Sequence, residues 1–291
     1  MNKKIWLIYA LVTMVTWGFW GALSQTSIQN GFPETLVYSI WALTMILPGI
    51  VVLKIHKWKI QIDKKSIIYG SIIGFLGAGG QLLLFQALKV GPAYLIFPII
   101  SISPVITIVL SFIFLKERTG KFGILGIVMA LIALPLFEYS KGGEPNEYGV
   151  LWFGFAVLIL AAWGLQAYFM KLANKTTDGG SIFIYMTVTA LILIPVALMM
   201  TDFSADINWG GEQLLMTAGI QVLNAIGALT LVFAYRYGKA IVVSPLANAG
   251  APLMTAVISM ILLSVMPSPT KIAGIVLAVL AALLIALEPE T

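Results

Sequence analysis

Residues 87–98 read ALKVGPAYLIFP, and residues 234–245 read AYRYGKAIVVSP. Ala87, Gly91, Ala93 and Pro98 recur as Ala234, Gly238, Ala240 and Pro245, all at a shift of 147. Working outward at that shift, Tyr38 meets Tyr185 and Pro48 meets Pro195. At 146, Trp17-Gly18 meets Trp163-Gly164; at 148, Pro104 meets Pro252 and Gly126 meets Gly274. Leucine-rich segments match one another by chance, but tryptophan and proline in register over most of a half do not. The single-residue drift fits small insertions and deletions. The chain reads as a duplication.

Composition places the duplicated unit in a bilayer. Hydrophobic residues make up 60% of the 291 and charged residues 10%, against about 25% charged in a soluble domain. So little polar surface cannot cover a soluble protein of this size. The formal charge of +5 does not point to nucleic acid, because the basic residues sit in short loops between apolar runs and form no stripe on a polar domain. The chain has no cysteine, so neither a disulfide nor a thiolate metal site can form.

Apolar runs of about 20 residues give ten spans: Ile5–Ser24, Pro33–Leu53, Ile67–Leu88, Ala93–Leu115, Phe122–Phe137, Gly149–Met170, Ile182–Thr201, Leu214–Tyr235, Ala240–Val265 and Ile272–Leu287. Lys3 and Lys4 before an apolar run give the N-terminus the look of a signal peptide. That run has the length of a span, and the repeat uses it. With ten spans, fourteen of the seventeen lysines and arginines fall on the side of both termini, leaving Lys89, Lys141 and Lys271 opposite. The positive-inside rule then puts both termini in the cytoplasm. Five spans is an odd number, so the second half enters from the opposite face. The expectation is an all-α integral membrane protein of ten transmembrane helices as two inverted five-helix repeats, residues 1–137 and 148–291, joined by an outer linker at 138–147. That is the ground plan of secondary transporters.

No Asp, Glu, Lys, Arg or His lies near the middle of any span. An intramembrane charge normally marks an ion or proton pathway, so the pattern speaks against a carboxylate proton relay and a fixed counter-ion. With no HExxH and no Ser/His/Asp set, no catalytic residue, cofactor or metal is expected. Neutral polar groups remain at mid-depth: Gln81, Ser101, Gln166, Gln221, Asn224 and Asn248. An amide in hydrocarbon needs a partner. Interhelical bonding supplies one, and a shared wet cavity is the functional alternative. Ser101 and Asn248 each follow a matched proline, Pro98 or Pro245, by three residues. An intraspan proline frees a carbonyl and kinks the helix, which marks spans four and nine as gating elements. Trp17 and Trp163 lie too deep for interfacial anchors such as Trp20, Trp41, Trp152 and Trp209. They are read as a stacking surface or as packing, each followed by a glycine that admits a backbone or ligand. Tyr38 and Tyr185 are candidate wall or gate residues. Glycines at 70, 74, 77 and 80 read as close helix packing.

The chain resembles the EamA family of the drug/metabolite transporter superfamily. The resemblance rests on the duplicated Trp-Gly, on Ala87-x-x-x-Gly91-Pro-Ala93 leading to Pro98, and on the FLKER run at 114–118 that closes the fourth span. It implies a ten-span fold with a central cavity and alternating access. The second half departs from the pattern where Glu117 should recur, reading Leu263-Ser264-Val265, so Glu117 is also read as an ordinary helix-end charge paired with Lys116 or Arg118. The expected partners are membrane lipid and a small-molecule substrate, with a homodimer allowed and no nucleic acid. The substrate is expected to be small and neutral, zwitterionic or aromatic, such as an amino acid. Sugars, nucleosides and amphipathic cations are alternatives.

Overall fold

The computed structural model describes residues 4–90, 100, 103–118, 120–138, 151–263 and 269–287. Pro98, Ser101 and the expected linker at 138–147, beyond its first residue, lie outside them. The described elements are α1 (Ile5–Gln29), α2 (Glu34–Thr44), α3 (Ile46–Ile55), α4 (Lys64–Val90) and α5 (Ser103–Leu110), which passes into a π-helical turn at Ser111–Leu115. Then come α6 (Lys121–Glu138), α7 (Leu151–Ala173), α8 (Gly179–Ile192), α9 (Ile194–Met199), α10 (Gly211–Tyr237), α11 (Ala240–Leu263) and α12 (Pro269–Leu287). Among the described residues all regular structure is helical.

Six helices there are long and apolar enough to cross a membrane: Ile5–Ile28, Glu34–Ile55, Lys64–Ala87, Leu151–Ala173, Gly179–Met199 and Gly211–Tyr237. Length and hydropathy thus bear out six of the ten expected spans. Large apolar side chains such as Ile8, Leu47, Phe75, Phe112, Leu158 and Leu283 point outward. That inverts the soluble pattern and suits a lipid belt.

The second span of each half is broken at matching places. α2 gives way to α3 at Met45, and α8 to α9 at Leu193, just before the matched Pro48 and Pro195. A proline lacks the N–H and crowds the carbonyl four residues back, here that of Thr44 and of Leu191. In the second half, α11 continues as a helix through Pro245.

Helix pairing is reciprocal between the halves. α1 packs on α10 and α11, while α7 packs on α4 and α5; α6 pairs with α12. The largest apolar core joins α1, α2, α4, α7, α8, α10 and α11 through residues such as Ala10, Tyr38, Ile73, Ala167, Phe183, Ala225 and Val243.

Candidate functional site

The deep tryptophans are wedges between helices. Trp17 Nε1 donates to the backbone oxygen of Asn224 at 3.2 Å, and Trp163 Nε1 to that of Gly77 at 3.4 Å. The acceptors correspond at the 147 shift. So do the glycines under the indoles: a Cβ on Gly227 would overlap Trp17, and one on Gly80 would overlap Trp163. The glycine after each tryptophan makes a second matched contact. Thr255 Oγ1 donates to Gly18 O at 3.0 Å, and Thr107 Oγ1 to Gly164 O at 3.0 Å. A Cβ on Gly18 would meet Met254, and one on Gly164 would meet Ile106. Each Trp-Gly pair therefore fastens the first helix of its half to the third and fourth helices of the other half. Of the two readings of these tryptophans, the indole contacts are those of packing.

The remaining predicted residues divide between the two resulting seams. In the α1–α10 seam, Gln221 is fully buried and Asn224 nearly so. Trp20 Nε1 donates to Gln221 Oε1 at 3.0 Å. Trp20 is thus a seam residue, not an interfacial anchor, and it packs on the cluster of Leu84, Ala87, Ile100, Ala156 and Ile159. Trp152 packs on that same cluster, Trp41 is buried against Tyr38, and Trp209 stays exposed. On the α4 side, the glycine stripe receives Tyr185 at Gly70, Thr189 at Gly74, Gln166 at Gly77 and Trp163 at Gly80, as close packing requires. Tyr38 is fully buried and donates to Ala190 O at 3.1 Å, joining α2 to α8. Tyr185 donates to Gln61 O at 2.9 Å. The Asn248 amide, half-buried, reaches Ser244 Oγ at 3.5 Å.

Two buried amide nitrogens, Nε2 of Gln81 and of Gln221, have no hydrogen-bond partner. A buried donor left unpaired costs about 1–3 kcal/mol, so such groups in mid-membrane need a reason.

The end where α1 begins carries an ionic knot. The turn after the π segment holds Lys116 at φ 55°, which brings Glu117 to the start of α11. There Glu117 Oε2 accepts from Ile241 N at 3.2 Å, and Oε1 lies 3.8 Å from Lys171 Nζ. Lys171 donates to Tyr235 O at 3.0 Å and to Gly238 O. An anion at the start of α11 and a cation at the end of α10 both match the helix dipoles. Glu117 thus pairs with Lys171 of the other half, where a neighbour, Lys116 or Arg118, was expected. Beside the knot, Gln61 N donates to Ser181 Oγ at 2.9 Å, and Ser66 Oγ lies 3.0 Å from Thr177 Oγ1. The opposite end is tied by neutral groups: Asn30 to Gln213 at 3.2 Å, Thr217 to Ser27 at 3.0 Å and Thr35 to Thr201 at 2.6 Å. A recess of about 400 Å³ at that end is lined by Asn30, Asn208, Glu212, Gln213 and Met216 among others, and by none of the predicted residues.

The model of the EamA-like transporter family matches residues 4–137 and 149–287. The chain belongs to the EamA-like transporter family. The family falls within the drug/metabolite transporter superfamily; its members are membrane transporters, not enzymes. The chain is an integral membrane protein. It is similar to an uncharacterized protein of Methanocaldococcus jannaschii, 40% identical over 113 residues, covering 39% of this chain and 80% of the relative. A protein solved by crystallography has the same fold, with a TM-score of 0.78 at 17% identity, covering 96% of this chain and 98% of that one.

The sequence reading missed Thr107, Thr255, Gly227 and the Glu117–Lys171 pair. The first three could have been found, since Thr107 matches Thr255 at a shift of 148 and the noted Gly80 matches Gly227 at 147. The ion pair had no such signal.

Proposed function

We propose that the protein is a secondary transporter working by alternating access, with ten spans in two inverted five-helix halves. The observation that carries this reading is the doubled contact of Trp17 with Asn224 and Trp163 with Gly77. Contacts exchanged in this way are what a pseudo-two-fold axis between the halves generates, and with an odd number of spans per half that axis lies in the membrane plane, as in many transporters. Fourteen of seventeen basic residues on the side of α1's start favour a cytoplasmic position for that end.

The cargo is a small neutral, zwitterionic or aromatic metabolite such as an amino acid, moved by export or facilitated diffusion. Supporting this, the polar side chains at mid-depth are amides and hydroxyls, and among the described residues charged side chains stay near helix ends. A strongly charged cargo would meet no counter-ion there. The Glu117–Lys171 knot ties the halves together at the cytoplasmic end and acts as the inner gate's latch.

The test is flux in proteoliposomes against a panel of amino acids, nucleosides, sugars and amphipathic cations. Counterflow of at least one neutral or zwitterionic member supports the reading. Strong accumulation driven by a pH step alone contradicts the uncoupled form, and no flux of any member contradicts transport itself.

A further inference from the structure

The orphan amide of Gln221 has a defined orientation. An indole N–H can only donate, so Trp20 fixes the Gln221 oxygen toward itself at 3.0 Å and leaves Nε2 to face the other way. That nitrogen is buried and has no partner. Gln81 Nε2, on α4, is in the same condition. Gln81 lies nine residues from the end of α4 at Val90, and Gln221 ten residues from the start of α10 at Gly211. At about 1.5 Å per residue both sit about 14 Å below the same membrane face. Trp20 links the two levels, since it packs on the cluster containing Leu84, less than one turn beyond Gln81.

We propose that Gln221 and Gln81 are the specificity-determining donors of the transport site, and that each offers an N–H to an oxygen acceptor of the cargo. Trp20 is the positioning residue that holds the Gln221 amide in its donating orientation. The cargo class is a net-neutral molecule with a carboxylate or carbonyl oxygen, bound without a cationic side chain. This rests on the transporter reading above. Between loadings the two donors stay unpaired, so a molecule that lacks the oxygen gains nothing from entering. A site built for hydrogen bonds rejects such analogues strongly.

The experiment combines thermal shift and flux. Purified protein is exposed to L-phenylalanine and L-leucine, to the matching amines phenethylamine and isoamylamine, and to uridine as a further carbonyl-bearing probe. At least one oxygen-bearing probe should stabilise, and the amines should not. An amine that stabilises as well as its acid overturns the proposal, as does silence from every oxygen-bearing probe. The decisive variant is the double Trp20→Phe with Gln221→Met, which removes both members of the indole–amide bond and so leaves no new orphan. It should keep the unliganded Tm while losing affinity for the stabilising probe by about tenfold or more. Retained affinity in a folded double variant overturns the proposal. Gln81→Leu is the second variant and should lose affinity likewise; retained affinity in Gln81→Leu overturns it equally if the double variant fails to fold. Proteoliposome flux separates the two levels. Flux that survives both variants sinks the donor assignment and leaves the transporter standing, while absence of flux in the unaltered protein sinks both.

Discussion

The indole N–H of Trp17 and the backbone oxygen of Asn224 are 3.2 Å apart, in a bond that crosses from the first half of the chain to the second. Its counterpart runs the other way, from Trp163 to Gly77 at 3.4 Å. Each indole rests on a glycine, Gly227 or Gly80, placed three residues beyond the acceptor. This double fastening makes one unit of the two halves.

The first prediction follows from those glycines. Gly227→Ala and Gly80→Ala should each destabilise by about 1–3 kcal/mol, because the added methyl overlaps an indole that cannot move without losing its hydrogen bond. Gly219 and Gly79 have open space at the same position. Gly219→Ala and Gly79→Ala should be neutral or stabilising by up to about 1 kcal/mol. Detergent Tm values for the four variants check the contrast, and equal behaviour of both sets would remove the wedge.

Glu117 and Lys171 should be coupled. Their side chains are only 10% and 16% exposed, and removing one partner strands the other. Glu117→Gln and Lys171→Met should each cost about 3 kcal/mol, with the double variant recovering part of the loss. A double-mutant cycle by thermal unfolding reads the coupling, expected at about 0.5–3 kcal/mol.

Asp178 caps α8, accepting from Ser181 N at 2.8 Å and from Ser181 Oγ at 2.6 Å. Asp178→Ala should cost about 1 kcal/mol, whereas Asp178→Asn should cost less. Chemical unfolding followed by tryptophan fluorescence distinguishes the two.

Acid should loosen the extramembrane caps. The Ser66 hydroxyl and amide hold the Asp63 carboxyl below its ordinary range, and Ser204 does the same for Asp202. A carboxyl depressed in the folded state contributes stability above the unfolded value, and that contribution is lost as pH falls through the folded value. Tm should therefore drop on acidification below about pH 4, and Asp63→Asn should flatten that drop.

Much of the architecture is legible in the residues themselves. The recurrence of Ala87, Gly91, Ala93 and Pro98 announces the duplication, and Pro48 and Pro195 mark where the second spans break. The glycine stripe of α4 reads as close packing, and it is. Facing is harder to read than depth. Trp17 and Trp163 stand in the interiors of α1 and α7, yet hydropathy does not tell which neighbour an indole meets, and both turn toward a partner helix. Trp20 read as an anchor because it lies nearer the span's end, although its N–H is taken by Gln221. The Glu117–Lys171 pair joins residues 54 apart in sequence, and only the π turn and the left-handed Lys116 bring the carboxylate to α11.

If the two halves open against each other at the end held by Glu117 and Lys171, bridging those two positions must stop transport. The chain lacks cysteine, so Glu117→Cys with Lys171→Cys gives a clean pair for a short, reducible bifunctional thiol cross-linker. Counterflow in proteoliposomes is then measured before cross-linking, after it, and after reduction. Flux should stop when the pair is bridged and return when the bridge is cut. Undiminished flux through fully bridged protein would contradict it.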